Sequence, residues 1–204
     1  MTILIACEFS GVVRRAFRAR GHEAWSCDLL PAEDGSEFHL QGDVLTMLAN
    51  CKWPWDLMLG HPPCKFLALC QAWRRRPSKK DCQLHGLAPD NETWRLEQRE
   101  LAVAFAKRLW EAPVARIALE NPKSILSTRM APKSQTIHPW QFGHGETKET
   151  WLWLKNLPPL KPTNIVEGRE QRVWKMPPSE TREQDRSRTY TGLAEAMAEQ
   201  WGSL

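Results

Sequence analysis

Short apolar runs separated by mixed polar stretches recur through the first 120 residues and set the expected architecture. Ile3-Leu4-Ile5-Ala6-Cys7 carries no charged position and reads as a buried strand. It ends at Glu8-Phe9-Ser10-Gly11, where Ser10 is the expected N-cap of a helix running from Gly11 to Arg20. In that helix Val12, Val13, Ala16 and Phe17 share one face, Arg14, Arg15 and Arg18 face away, and Gly21 marks the stop. Glu23 to Leu29 predicts a second strand with Asp28 at its end. Gly42-Asp43-Val44 follows, then a short apolar helix to about Cys51. Trp55 to Leu59 predicts a further strand. It stops at the corner Gly60-His61-Pro62-Pro63-Cys64, because each proline fixes its own φ and removes a backbone donor.

Residues 65–90 show no sustained period and are expected to form a long loop with at most a helical turn. A loop of that length in a compact domain is more often functional than idle. Glu92 to Glu111 predicts the clearest helix, with Leu101, Phe105 and Leu109 along one stripe and Pro113 as its breaker. Val114 to Leu119 predicts a strand ending in Glu120-Asn121-Pro122. Ile137 to Trp140 and Trp151 to Leu154 predict two more, joined through Gln141-Phe142-Gly143-His144-Gly145. Residues 155–190 are irregular and rich in proline and charge. Gly192 to Trp201 closes the chain as a helix with Leu193, Met197 and Trp201 in one stripe.

Strands alternating with helices over residues 1–120 imply an α/β fold with a doubly wound, mostly parallel sheet. At 204 residues we expect one domain spanning 1–204. If the strands are parallel, Glu8, Asp28, Asp43, Cys64 and Glu120 all stand at one sheet edge, where open α/β sheets bind ligands.

Composition changes this picture in two places. The net charge is +4, yet Lys65, Arg74, Arg75, Arg76, Lys79 and Lys80 stand against the single acid Asp81 between Lys65 and Cys82. One stretch thus holds more than the net excess of the whole chain, which points to a phosphate-bearing partner. The six cysteines sit mostly inside apolar segments, as reduced thiols do in the cytoplasm. No apolar run is long enough to span a membrane, and Met1-Thr2-Ile3-Leu4-Ile5 lacks a basic leader pattern, so a cytoplasmic protein is expected. Cys64, Cys70, Cys82 and His85 match no common zinc spacing, and no metal is expected. Cys7, Cys27 and Cys51 read as packing, His61 and His144 as loop residues, and most of the eleven tryptophans as packing.

Taken alone, Cys64 reads as a structural cysteine beside a rigid corner. Acids at neighbouring strand ends alter that reading. A thiolate is a strong nucleophile once nearby positive charge lowers its pKa. A carboxyl group holding the ring nitrogen and exocyclic amine of a pyrimidine would draw electron density away as the thiolate adds. Asp28 and Asp43 suit the hydroxyls and amine of a nucleoside-type cofactor.

In order and spacing these motifs resemble those of the cytosine carbon-5 DNA methyltransferases. Phe9-Ser10-Gly11 resembles the cofactor-binding first motif, Gly60-His61-Pro62-Pro63-Cys64 the nucleophile motif, and Glu120-Asn121-Pro122 the motif whose glutamate holds the cytosine. Phe142-Gly143 with Lys148 and the strand after it resembles the later motif that carries two arginines, here Lys148 and Thr150. Tyr190 to Trp201 falls where the last motif returns to the cofactor. Cys7 stands in place of the first motif's acid, and Val13 and Arg14 in place of two of its glycines. About 35 residues separate Leu154 from Tyr190, where the family usually has a sizeable target-recognition domain, so the chain resembles a short, phage-like form.

The resemblance implies a Rossmann-like domain that uses S-adenosylmethionine to methylate carbon 5 of cytosine, in DNA, through a covalent Cys64 adduct. It implies Cys64, Glu120 and Lys148 as catalytic residues. Phe9, Ser10, Gly11, Asp28, Asp43, Gly60 and Pro62 would hold the cofactor, and Pro63, Lys65, Arg74, Arg75, Arg76 and Asn121 would meet substrate or its phosphates. The 65–90 stretch would be the active-site loop, closing over a flipped base. The setting implied is prokaryotic or phage-infected host cytoplasm. Two alternatives stay open: modification of a free pyrimidine nucleotide, and a catalytically idle DNA-binding protein acting against restriction. A homodimer or a specificity partner also stays open.

Overall fold

Alternation along the buried strands sorts their side chains into two cores. β1 (Thr2–Ala6) sends Ile3 and Ile5 to one face of the sheet and Leu4 and Ala6 to the other. The computed structural model describes residues 1–50 and 54–204. After β1 come α1 (Val12–Ala19), β2 (Glu23–Asp28), β3 (His39–Gln41), α2 (Val44–Asn50) and β4 (Leu57–Gly60). Then α3 (Leu69–Ala72), α4 (Lys79–His85), α5 (Glu92–Trp110), β5 (Arg116–Pro122) and α6 (Leu126–Arg129) lead to β6 (Gln135–Ile137) and β7 (Thr150–Lys155). The chain finishes with α7 (Arg172–Lys175), α8 (Arg182–Ser187) and α9 (Thr191–Gly202).

The strands form one seven-stranded sheet in the order β3-β2-β1-β4-β5-β7-β6. β1 to β5 pair in parallel, while β7 runs antiparallel between β5 and β6. This is the doubly wound, mostly parallel, Rossmann-like sheet expected from the sequence. Val13 and Phe17 of α1 pack with Leu193, Met197 and Trp201 of α9 on one face. Val44 of α2, Val103, Ala106 and Leu109 of α5, and Leu126 of α6 cover the other. The chain reverses its direction of travel across the sheet between β1 and β4, so a crevice opens at their carboxyl ends.

Several local expectations are corrected. Ser10 makes no cap; Gly11 precedes α1 with φ 66°, and the Glu8 carboxylate accepts from Val13 N (2.6 Å) and Arg14 N (3.2 Å). A longer acid reaches back to the helix end where a serine at position 10 cannot. β3 was not anticipated, because three residues of edge strand carry too short a pattern. The strand expected over Ile137 to Trp140 ends at Ile137, since Pro139 has no donor and starts a 3-10 turn instead. The expected end of α2 at Cys51 lies outside the described residues.

The stretch 65–90 is not a plain loop. It contains α3 and α4, and Ser78 with Asp81 forms a reciprocal capping box at the start of α4. Asp81 is buried. Lys65 Nζ sits 2.6 Å from its Oδ1, and Arg95 of α5 lies 3.9 Å from Oδ2. These bonds anchor the stretch to the helix behind it. On α5 the core side is Val103, Ala106 and Leu109, whereas Leu101 is 62% exposed. Of the stripe read from sequence, Leu109 closes on the sheet and Phe105 packs against that core, while Leu101 overhangs the crevice.

Candidate active site

β4 delivers the Pro-Pro corner to the crevice. Gly60 ends the strand against Leu119 of β5; a Cβ there would lie 2.6 Å from Leu119 Cδ2, so any larger residue would have to displace that side chain. His61 N donates to Ala6 O (2.9 Å), which holds the corner against the end of β1. Asn121 Nδ2 donates to Pro62 O (2.7 Å), tying the corner to β5. Asn121, expected to meet substrate, is buried with its Nδ2 on this tie, while its Oδ1 has no hydrogen-bond partner among the described residues.

Around the corner a cavity of about 80 Å³ is lined by Cys64, Glu120, Lys148, His61, Pro62, Pro63 and Asn121, with the Cys7–Ser10 turn on one wall. Residues Arg186 to Thr189, which lead into α9, form the opposite wall. Arg188 grips Glu33 with both terminal nitrogens and thereby holds this wall against the loop after β2. Cys64, Glu120 and Lys148, the three expected catalytic residues, thus share one cavity. So do Phe9, Ser10, Pro62 and Pro63.

His61 is the residue the sequence reading missed. Its Nδ1 lies 2.9 Å from Glu120 Oε2, and both side chains are nearly buried. Burial alone would lower His61, but the hydrogen bond and charge of Glu120, with Glu8 beyond, raise it above its ordinary value. Burial alone would raise Glu120, but His61 and Lys148 hold it below the usual carboxylate range. Each group thus favours the charged form of the other. His61 Nε2 is buried and has no hydrogen-bond partner among the described residues. The Cys64 thiol is raised by its surroundings, with Glu120 adding to the rise, while Lys148 and Arg186 pull it back. The thiol rests protonated at neutral pH, and both groups that favour the thiolate line its cavity.

Cys7 and Pro63 also line a second cavity, of about 350 Å³, on the other side of the corner. Asp28 and Asp43 stand at its edge, and Leu29, Val44, Phe66, Leu101 and Phe105 supply apolar walls. One oxygen of Asp28 accepts from Leu30 N (2.9 Å), and one of Asp43 caps α2 through Thr46 N (2.8 Å). Both carboxylates reach the slot from these turns, since Asp28 and Asp43 line it. A slot with apolar faces and two acids at its rim fits an adenosine group, which needs stacking surfaces and acceptors for its hydroxyls and amine. The exposed Leu29 and Leu101 find their purpose as walls of that slot.

The replaced glycines of the first motif do not obstruct it. Val13 packs into the core, and the buried Arg14 guanidinium runs to Ser26 Oγ (2.7 Å) and Asp34, away from both cavities. Hydrogen bonds from Arg14 and Arg15 outweigh burial and hold Asp34 at about 2. Gly11 shapes the turn and Gly60 the strand packing, and neither lines either of these two cavities. Of the expected phosphate contacts, Lys65 is engaged with Asp81 and Arg76 with Glu92 (3.3 Å), while Arg74 lies over the Trp73 ring. None of these, nor Arg75, lines the Cys64 cavity.

No helix among the described residues is long and apolar enough to cross a membrane. No family model matches the chain, and no curated protein does. Among solved structures it is similar to a candidate DNA modification methyltransferase encoded within an E. coli prophage, at 13% identity and a TM-score of 0.47 over 82% of this chain and 52% of that one. It is also similar to the S. pombe Dnmt2 methyltransferase, at 13% identity and a TM-score of 0.40 over 86% of this chain and 53% of that one. The chain spans about half the length of each.

Proposed function

We propose that this chain is a methyltransferase acting on carbon 5 of cytosine in DNA, with Cys64 as a covalent nucleophile and S-adenosylmethionine as methyl donor. One observation carries the reading. Cys64, Glu120 and Lys148 surround a single cavity that meets, at Cys7 and Pro63, an acid-rimmed slot suited to adenosine.

In this reaction Cys64 first gives its proton to solvent, and the thiolate Sγ then adds to carbon 6 of the ring and pushes electron density toward carbon 5. Glu120, held by His61, accepts from the exocyclic amine and fixes the ring edge. Lys148 lies on the side of both groups and favours the thiolate. When bound, the cofactor supplies an electrophilic methyl group at carbon 5. Loss of the carbon-5 proton then lets the carbon 6–sulfur bond break and returns the Cys64 thiolate.

Modification of a free pyrimidine nucleotide is the second reading. It is favoured by the absence of any large unit between β7 and α9, where only α7 and α8 lie. Incubation with labelled S-adenosylmethionine and either duplex DNA or dCMP and dCTP tests both. Label in DNA carbon 5 supports the first, label in nucleotide alone the second, and label in neither rejects the proposed chemistry.

A further inference from the structure

Two cations face the nucleophile, Lys148 from the later motif and Arg186 from a segment that no sequence motif identifies. Lys148, just before β7, and Arg186, in α8, both line the Cys64 cavity. They also line a neighbouring cavity of about 510 Å³ between the 144–148 turn and residues 172–191. Lys148 Nζ donates to the Arg186 carbonyl (3.1 Å), so the two positions are tied together.

Other cations near this second cavity are already neutralised. Arg172 Nε pairs with Glu146 Oε1 (2.8 Å), and Arg188 pairs with Glu33 and Asp185. Among the described residues, neither Lys148 nor Arg186 has an acid within ion-pair distance. Lys148 acts on Glu120 without an ion-pair contact, and two half-buried cations with no ion pair among the described residues, at the mouth of a cavity, can accept an anion.

We infer that Lys148 and Arg186 form a phosphate subsite that takes the phosphate of the nucleotide whose base reacts at Cys64. The inference rests on the cytosine reading for its ligand, and it puts the phosphate contact nearest the chemistry on the 155–190 segment. Lys65, which follows the nucleophile directly, is committed to the buried Asp81. A phosphate bound here would anchor the sugar while Glu120 holds the base edge. That would let a chain with no large recognition unit at this point orient one nucleotide. The shared ligand chemistry is a phosphate monoanion or dianion, either the diester of DNA or the terminal group of a free nucleotide.

Calorimetry on the full chain with dCMP and deoxycytidine tests the subsite. Charge-assisted bonds of this kind lead us to expect dCMP to bind about ten- to a hundredfold tighter than deoxycytidine. Arg186→Gln should shrink that ratio to roughly threefold or less, and Arg186→Lys should keep most of it. S-adenosylmethionine affinity should not change in either variant. A loss on duplex DNA in Arg186→Gln, with the salt slope reduced by about one, identifies the diester as the source. An unchanged slope with a reduced dCMP preference identifies the free nucleotide. A second readout needs no cytosine: inorganic phosphate should slow iodoacetamide labelling of Cys64 in the wild type and not in Arg186→Gln. If phosphate slows labelling but no cytosine ligand binds, the subsite stands and the cytosine reading falls. Equal binding of dCMP and deoxycytidine, with DNA binding unaltered in Arg186→Gln, overturns the subsite and leaves the cytosine reading standing.

Discussion

His61 Nδ1 lies 2.9 Å from Glu120 Oε2, joining the ends of β4 and β5 across the mouth of the crevice. The pair faces Glu8 on one side and Lys148 on the other, so its proton is set by four charged groups from four parts of the chain. In the proposed reaction, His61 with Lys148 would keep Glu120 in its carboxylate form.

A titration follows from that geometry. His61 should titrate above its ordinary value of about 6.5 in the wild type. In Glu120→Gln burial and the Lys148 charge are opposed by Glu8, so His61 should fall below that value. The sign for stability is the usual one for a raised histidine. The pair's contribution is full below the unfolded pKa and is lost as pH rises through the folded one. The destabilisation caused by Glu120→Gln should therefore shrink on the alkaline side. Histidine ring NMR across pH 5 to 9 checks both. A His61 that titrates alike in the two proteins would remove the pair from the argument.

Cys64 should be the sole nucleophile. Cys70 and Cys82 lie in the same part of the sequence, but neither lines the cavity with Glu120 and Lys148. With DNA or nucleotide carrying 5-fluorocytosine, the carbon-5 proton cannot leave, and a covalent adduct should accumulate. Mass spectrometry should find it in Cys70→Ala and Cys82→Ala and not in Cys64→Ala. An adduct that persists in Cys64→Ala would sink the assignment.

The cofactor slot can be probed without disturbing the fold. Asp43 caps α2, so Asp43→Asn keeps an acceptor for Thr46 N while removing the charge. Asp28→Asn does the same for the turn at Leu30. Each lost charged hydrogen bond is worth on the order of 1.5–3 kcal/mol, so S-adenosylmethionine should bind about ten- to a hundredfold more weakly. Calorimetry showing full affinity in both variants would move the cofactor elsewhere.

The main strands of this site were legible because apolar runs ending in acids or in Pro-Pro name both a strand and what stands at its edge. Glu8, Asp28, Cys64 and Glu120 were located in that way. What escaped was set by contacts between distant segments. His61 becomes informative only when β5 brings Glu120 beside it, and Arg186 only when α8 folds back over the corner. The Ser10 cap was misassigned because Glu8 competes for the same amides from farther back. One missed feature was readable: Ser78-Lys79-Lys80-Asp81 is a capping-box pattern, and it marks the start of α4 inside the supposed loop.

That box also alters what the basic stretch can do with DNA. Lys65 is bound to Asp81, which the Lys65 and Ser78 hydrogen bonds hold at about 2 against burial, so this pair is intact at any working pH. Arg76 is shared with Glu92. Arg74 and Arg75 have no acid within ion-pair distance among the described residues, and both are exposed. Each phosphate neutralised contributes about −0.9 to the slope of log K against log salt on duplex DNA. The double variant Arg74→Gln, Arg75→Gln should therefore flatten the slope by about two units with little change in stability. Lys65→Gln should do the reverse. It should leave the slope nearly unchanged and destabilise the fold by about 1–3 kcal/mol, because Asp81 would keep only Arg95 at 3.9 Å as a counter-ion. Binding isotherms at several salt concentrations, with urea melts of the same proteins, separate the two effects. If Lys65→Gln flattened the slope as much as the double variant, the 65–81 ion pair would have to open in the DNA complex, and the anchored view of this stretch would be wrong.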